Sequence, residues 1–355
     1  MHYKEKAKRS KARGIAGVVV LLLLAVMLAA CGKVAKEEQG AASTPSAVTN
    51  ANGQQEEAAK GSNVAPAKPQ TQTVEHGFGK SEVPLHPQRI AVIGHEDILL
   101  SLGAPIVYAF GFKGYYLENE LKQAGAELSG SADVSFNLEA ILASQPDLIV
   151  LQQYFTDEKG YEELSKIAPT IAYKPDDWKT NIKTIGKVLG LEEKAASVIA
   201  DYEDKLQKAK ETIIKAVGSD ATVAYIRPSN KDLQVFFPSF APLIYDELGL
   251  KADASIAELQ KGSQDDWGVN TSLEKLPSIT ADYVFAIYGG SIDSAEDFQK
   301  YTEEASEVEK LNVWKSIPAV GKNHVFKVSA RHWMSSGPTA NGKVIDDVVA
   351  ALTGK

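Results

Sequence analysis

The chain has 355 residues, of which 44% are hydrophobic and 24% charged, enough for one large domain or two lobes. Its formal net charge of −8, with no basic stripe, argues against non-specific nucleic-acid binding. A single cysteine leaves no pair for an internal disulfide, so core burial alone has to hold the fold.

Lys4, Lys6, Lys8, Arg9, Lys11 and Arg13 precede an apolar run over 15–30, the plan of a secretory signal. The run is slightly short of the ~20 residues that a transmembrane helix uses, and retention as a plain membrane anchor stays open. Its end, Leu28-Ala29-Ala30-Cys31, resembles a bacterial lipobox. That resemblance implies that Cys31 is lipidated, becomes the first mature residue and tethers the protein at the extracytoplasmic face. Residues 1–31 are thus read as a lipoprotein signal peptide. Residues 32–70 contain no aromatic residue and few branched aliphatics, and are read as a disordered tether.

Beyond the tether, strand-length apolar runs alternate with helical stretches, the pattern of an α/β fold with mainly parallel strands. Strands are expected at 90–93, 107–110, 148–151 and 170–173, and again at 223–226, 283–288 and 325–328. One long helix over 180–217 separates the two sets, with Gly190 as a candidate interruption. The halves share a local grammar. "DILLSLG" ends at Gly103 and "LIYDELG" at Gly249; Glu139 stands eight residues before Asp147, as Glu274 does before Asp282. Each unit reads as a helix with an early Glu, then a turn Asp leading into a strand. The organisation is therefore an N-terminal lobe over 71–179, a bridging helix over 180–217 and a C-terminal lobe over 218–355.

The segments "HGFGKSEVPLHPQRIAVIGHEDILLSLGAP", "NLEAILASQPDLIVL", "IAPTIAY", "YDELGL", "SLEKLPSITADYVF" and "VWKSIPAVGKNHVFKV", followed by "GPTANGKVIDDVVAAL" as a C-terminal helix, span nearly the whole folded length. In combination they resemble the iron(III)-siderophore substrate-binding lipoproteins of Gram-positive ABC importers. The resemblance implies two Rossmann-like α/β lobes joined by one rigid helix, like class III periplasmic binding proteins, with a shallow ligand cleft between them. It also implies that an exposed Glu on each lobe pairs with Arg on the permease, and Glu139 and Glu274 sit at the matching positions. A local role is open beside docking: Thr271-x-x-Glu274 reads as a capping box, and Glu139 two residues after Asn137 suits a helix N-terminus.

Ligands of open α/β sheets sit beyond the carboxyl ends of the strands. The residues found there include His95, Lys113, Tyr115 and Trp178 in the first half, and Arg227, Arg331 and Trp333 in the second. Arginine forks carboxylate oxygens, lysine adds a point charge and aromatic rings give flat contact, so the set suits an anionic or carboxylate-bearing chelate. Each has a plainer reading: Arg227 as a turn cation, Trp178 and Trp333 as lobe packing, Lys113 as solvent-facing charge. Glu96 and Asp97 complement the dipole of the helix they begin and are not counted as ligands.

No reactive constellation accompanies these residues. There is no G-x-S-x-G, and the G-x-x-x-x-G-K spacing at 337–343 has Val344 where a phosphate loop needs Ser or Thr. Among six histidines, His95 and His332 are the remaining pair for a bare metal ion such as zinc, and Tyr115, Tyr154 or His332 for a haem axial ligand. The reading is a monomeric, lipid-anchored receptor, not an enzyme and without a cofactor. It captures an iron(III)-siderophore and delivers it to the transmembrane subunits of an ABC importer. Haem, corrinoid or bare-metal receptors are the alternatives.

Overall fold

Strands buried on both faces organise the chain, as their unbroken apolar runs require. A computed structural model describes residues 70–130, 135–175, 177–292 and 294–354. The expected signal segment, Cys31 and all but the last residue of the expected tether lie outside the described residues. Among the described residues no helix is long and apolar enough to cross a membrane.

The first lobe opens with an antiparallel hairpin, β1 (Thr71–His76) and β2 (Gly79–Pro84). The strands β3 (Ile90–Ile93), β4 (Ile106–Ala109), β5 (Glu127–Leu128), β6 (Leu148–Gln152) and β7 (Thr170–Tyr173) then form a parallel sheet in the order β5-β4-β3-β6-β7. Helices α1 (Glu96–Leu102), α2 (Glu118–Gln123), α3 (Leu138–Ala143) and α4 (Glu158–Ser165) connect them. The segment expected as one helix over 180–217 is two, α5 (Trp178–Leu189) and α6 (Glu192–Val217). Gly190 takes φ +68°, and the N–H of Leu191 turns back to the Gly186 carbonyl at 2.7 Å, closing α5. The bridge into the second lobe is α6 alone, 26 residues and therefore about 39 Å long.

The second lobe contains β8 (Thr222–Pro228), β9 (Leu233–Phe236), β10 (Lys251–Ala252), β11 (Gly268–Thr271), β12 (Tyr283–Tyr288) and β13 (Val325–Ser329). Their order is β11-β9-β8-β12-β13, with β10 beside the start of β8; β9 and β11 run antiparallel. The helices of this lobe are α7 (Ala254–Lys261), α8 (Ala295–Val308), α9 (Asn312–Lys315), α10 (Pro318–Gly321), α11 (Ala330–Trp333) and α12 (Pro338–Thr353). The echo seen in the sequence becomes one repeated device. Asp147, just before β6, accepts the N–H of Gln88 (2.7 Å) and Arg89 (3.0 Å) beside the neighbouring β3. Asp282, just before β12, accepts the N–H (3.1 Å) and hydroxyl (3.0 Å) of Thr222 at the start of the neighbouring β8.

Strand alternation divides the core in three. Ala91 and Ile93 face one side of the first sheet, and Val284 and Ala286 one side of the second. Ile90, Val92, Phe285 and Ile287 face the other way and join, with Ile182, Ile199, Ile345 and Val348 of α5, α6 and α12, a single cluster that runs through both lobes. The junction also has a polar clamp. Asp97 of α1, 3% exposed, accepts the N–H groups of Thr339 and Ala340 at the start of α12, both at 2.9 Å, and the Tyr116 hydroxyl at 3.1 Å. Replacing Asp97 by Ala leaves two amides at a helix N-terminus without their acceptor. The expected cost is about 2–4 kcal/mol in urea unfolding, and a loss below ~1 kcal/mol would show that water substitutes for the carboxylate.

Candidate functional site

In each lobe the segments that follow the parallel strands turn toward the other lobe. They enclose a cavity of about 300 Å³. The first lobe supplies Gly94 to Ile98 after β3, Phe110, Tyr115 and Tyr116 after β4, Gln152 and Phe155 after β6, and Pro175, Trp178 and Asn181 after β7. The second supplies Ser291 and Ile292 after β12 and Met334 to Ser336 between α11 and α12.

Of the expected ligand residues, His95, Tyr115 and Trp178 line this cavity. Trp178 is nevertheless only 3% exposed and meets Tyr202 of α6 edge to face, so packing and site roles coincide. Arg331 stands behind the lining. Its Nη1 donates to the Ser291 carbonyl at 3.0 Å, and its guanidinium lies 5.0 Å from the ring of Phe112 in the first lobe and 4.5 Å from that of Phe298 in the second. Trp333 turns inward: its indole N–H donates to Asp347 at 2.7 Å and its ring packs on Phe285 and Tyr225. Lys113 is exposed on the loop after β4, and Arg227 is half-buried on β8; neither lines the cavity. His332 bonds to Asp347 at 2.7 Å, while His95 stays in the cavity wall. Among the described residues no group of three or more His, Cys, Asp or Glu is arranged to hold a metal ion.

The sequence reading set aside Glu96 and Asp97, and both line the cavity. Asp97 does complement a helix dipole, but that of α12 through space as well as that of its own helix. Glu96 is 2% exposed and accepts the Gly94 N–H at 2.6 Å. Burial pushes its carboxyl up to about 8, against the opposing hydrogen bonds of the Glu96 and Gly94 amides and Tyr115, with neighbouring Asp97 adding to the rise. Burial holds His95 down at about 4, against a bond to the Tyr173 carbonyl. The Tyr115 and Tyr116 hydroxyls lie well above their ordinary range, again through burial first and the two acids second. At neutral pH Glu96, His95 and both tyrosines are therefore uncharged, and no Lys or Arg occurs among the described lining residues. Such a wall offers aromatic faces and, apart from Asp97, neutral donors and acceptors.

Glu139 and Glu274 are both exposed, each in the first turn of a short helix. Asn137 caps α3 by accepting the N–H of Glu139 (3.0 Å) and Ala140 (3.1 Å). At the second position the cap is Ser272, which accepts the Glu274 N–H at 3.2 Å, and not the expected Thr271. Thr271 is still paired in β11, so the 3₁₀ turn Leu273–Ser278 begins one residue later than a capping box from Thr271 requires. Each turn leads the chain back to the amino end of a central strand.

Residues 97–331 match the periplasmic binding protein family (Peripla_BP_2), and the chain belongs to that family. It is 31% identical over 344 residues to the iron(3+)-hydroxamate-binding protein FhuD of Bacillus subtilis, across 94% of this chain and 95% of that one. A crystal structure of a FhuD fold-family periplasmic binding protein, a component of a ferrichrome ABC transporter from Bacillus subtilis, has a TM-score of 0.66 and 28% identity, covering 79% of this chain and 100% of the other. SirA of Staphylococcus aureus, solved in complex with staphyloferrin B, has a TM-score of 0.63 and 27% identity over 79% and 98% of the two chains. The fold is thus the two-lobed, class III type, and these relatives are binding proteins, one of them a component of an ABC transporter.

A buried acid with a raised pKa stabilises the fold below its unfolded value, about 4.5 for Glu96, and loses that contribution as pH rises through about 8. The unfolding free energy of the native chain, relative to Glu96→Gln, is expected to fall by a few kcal/mol between pH 5 and pH 8.5. Parallel urea curves at the two pH values check this; a constant difference would place an ionised carboxylate in the apo cleft.

Proposed function

We propose that the chain captures an iron(III)-siderophore in the cleft between its lobes and delivers it to the transmembrane subunits of an ABC importer, with no chemistry of its own. One observation carries the reading: the carboxyl ends of strands from both lobes converge on a cavity walled by aromatic rings and polar groups, with no Lys or Arg among its described residues. A ferric chelate presents that kind of surface, with polar rims, apolar edges and the iron coordinated inside. The names of the relatives agree, since FhuD and YxeB of Bacillus subtilis are iron(3+)-hydroxamate-binding proteins. A described lining without Lys or Arg favours a hydroxamate over the carboxylate-bearing chelate that Lys113, Arg227 and Arg331 suggest from the sequence. Tyr115, Trp178 and His95 are the contacts from the first lobe, and Arg331 positions the wall contributed by the second. Cys31 carries the lipid anchor, so the receptor works as a tethered monomer at the extracytoplasmic face.

Titrating the full chain with ferrichrome, ferrioxamine B, ferric citrate, haem and Zn²⁺ tests the cargo. Saturable quenching of tryptophan fluorescence by a ferric hydroxamate, with Trp178 as the reporter in the cavity, is expected at micromolar or tighter affinity and absent with the iron-free ligand. A response confined to haem or Zn²⁺ would overturn the ligand class.

Delivery on this reading uses Glu139 and Glu274 as the acidic contacts of the two lobes. Both are exposed and hold corresponding places in the repeated unit. The double substitution Glu139→Ala/Glu274→Ala is expected to abolish uptake by cells while ligand affinity stays within about twofold, since neither residue lines the cavity. Unchanged uptake would refute the docking role.

A further inference from the structure

Two acids stand side by side at the start of α1, and their surroundings differ. Both oxygens of Asp97 are taken by the first turn of α12, with the Tyr116 hydroxyl on one of them. Glu96 has the Gly94 amide on one oxygen and further hydrogen bonds from its own amide and from Tyr115, and it shares the cavity with Gln152, Trp178 and Asn181. The other titratable groups of the described lining are His95, Asp97, Tyr115 and Tyr116, and none of them is a cation at neutral pH. Arg331, the cation behind the wall, is occupied by the Ser291 carbonyl and by the rings of Phe112 and Phe298.

Resting on the receptor reading above, we propose that Glu96 is a specificity-determining residue: it selects ferric chelates by the charge of the rim they present to the cleft floor, favouring one that carries an ammonium group. The physical basis is the cost of burying charge without a partner. An anionic rim meets two acids and no cation of the described lining, whereas an ammonium finds in Glu96 a lining carboxyl that, unlike Asp97, is not engaged by the first turn of α12. Burial keeps Glu96 protonated in the empty cleft at neutral pH. Seating an ammonium beside it breaks the carboxyl O–H bond, sends that proton to the buffer and leaves a carboxylate that accepts a hydrogen bond from the ammonium.

The test compares two probes that differ in one charge: ferrioxamine B, a ferric trihydroxamate with a pendant ammonium, and its N-acetylated form. Isothermal titration of the full chain at pH 7, in two buffers of different ionisation enthalpy, gives affinity and proton release together. The expected result is roughly tenfold tighter binding of the ammonium form, with about one proton released and none for the acetylated form. Glu96→Gln is expected to bring the affinity ratio to about one and to remove the proton release. The proton count on the unaltered chain decides the matter even where the variant does not fold. Equal affinities without proton release, or preferential binding of ferric citrate, overturn the inference and leave the receptor reading intact. Failure to bind any ferric chelate overturns both.

Discussion

A single buried carboxylate seated on the first turn of α12 fixes how the two halves of this molecule meet. Asp97 belongs to the first lobe by sequence and serves the last helix of the second, 242 residues later. Its two oxygens satisfy two amides that a helix leaves open, and the positive end of a 16-residue helix favours the charge. The approach is close enough that a Cβ at Gly337 would come within 2.5 Å of the carboxylate, which is why glycine ends the loop there. The segment 334–336, which forms one wall of the cavity, is thereby held at both ends: by Asp97 on one side, and on the other by Arg331 between an aromatic ring of each lobe.

That clamp works with the core rather than alone. Alternate residues of β3 and β12 enter one apolar cluster together with α5, α6 and α12, so prising the lobes apart would expose packed hydrocarbon as well as break the polar contact. Receptors whose lobes are joined by flexible strands close around a ligand by a large hinge motion. Here the lobes share the 26-residue α6 and one apolar cluster, so any opening has to work against that packing. The wall that a ligand would meet is formed with the lobes already packed together, and Glu96 and His95 belong to it.

The strands and the pairing of the lobes were readable because they rest on local pattern. Four-residue runs such as "IAVI" and "TIAY" admit little else between turn signals, and Asp147 and Asp282 carry the same message because both receive the amino end of a neighbouring strand. The β1–β2 hairpin was invisible for the converse reason: of its twelve residues only Val74 and Val83 are buried hydrophobics, so no alternation announces it. The two-residue strands β5 and β10 are too short to leave any pattern. Reading outward from strand ends reaches three residues of the cavity lining, His95, Tyr115 and Trp178, since they follow their strands closely. Arg227 lies within β8, which runs on past the expected strand end, and Trp333 closely follows β13, yet neither lines the cavity. For Trp333 the reason is Asp347, fourteen residues on, which draws the indole into the lobe; no spacing rule encodes that partner.

Glu96 and Asp97 show how far a local rule reaches. Acids in the first turn of a helix ordinarily need no further account, because solvent and the helix dipole accept them together. What changes here is the removal of water: the second lobe covers both side chains, so each must find a partner or keep its proton. Asp97 finds two amides. Glu96 finds the Gly94 amide, its own amide and a phenol, which burial outweighs, so it keeps its proton, and that proton sits in the cavity wall. Two adjacent residues of one chemical type thus divide into a structural clamp and a charge-sensing wall. The division is made by the fold that buries them and not by the sequence around them.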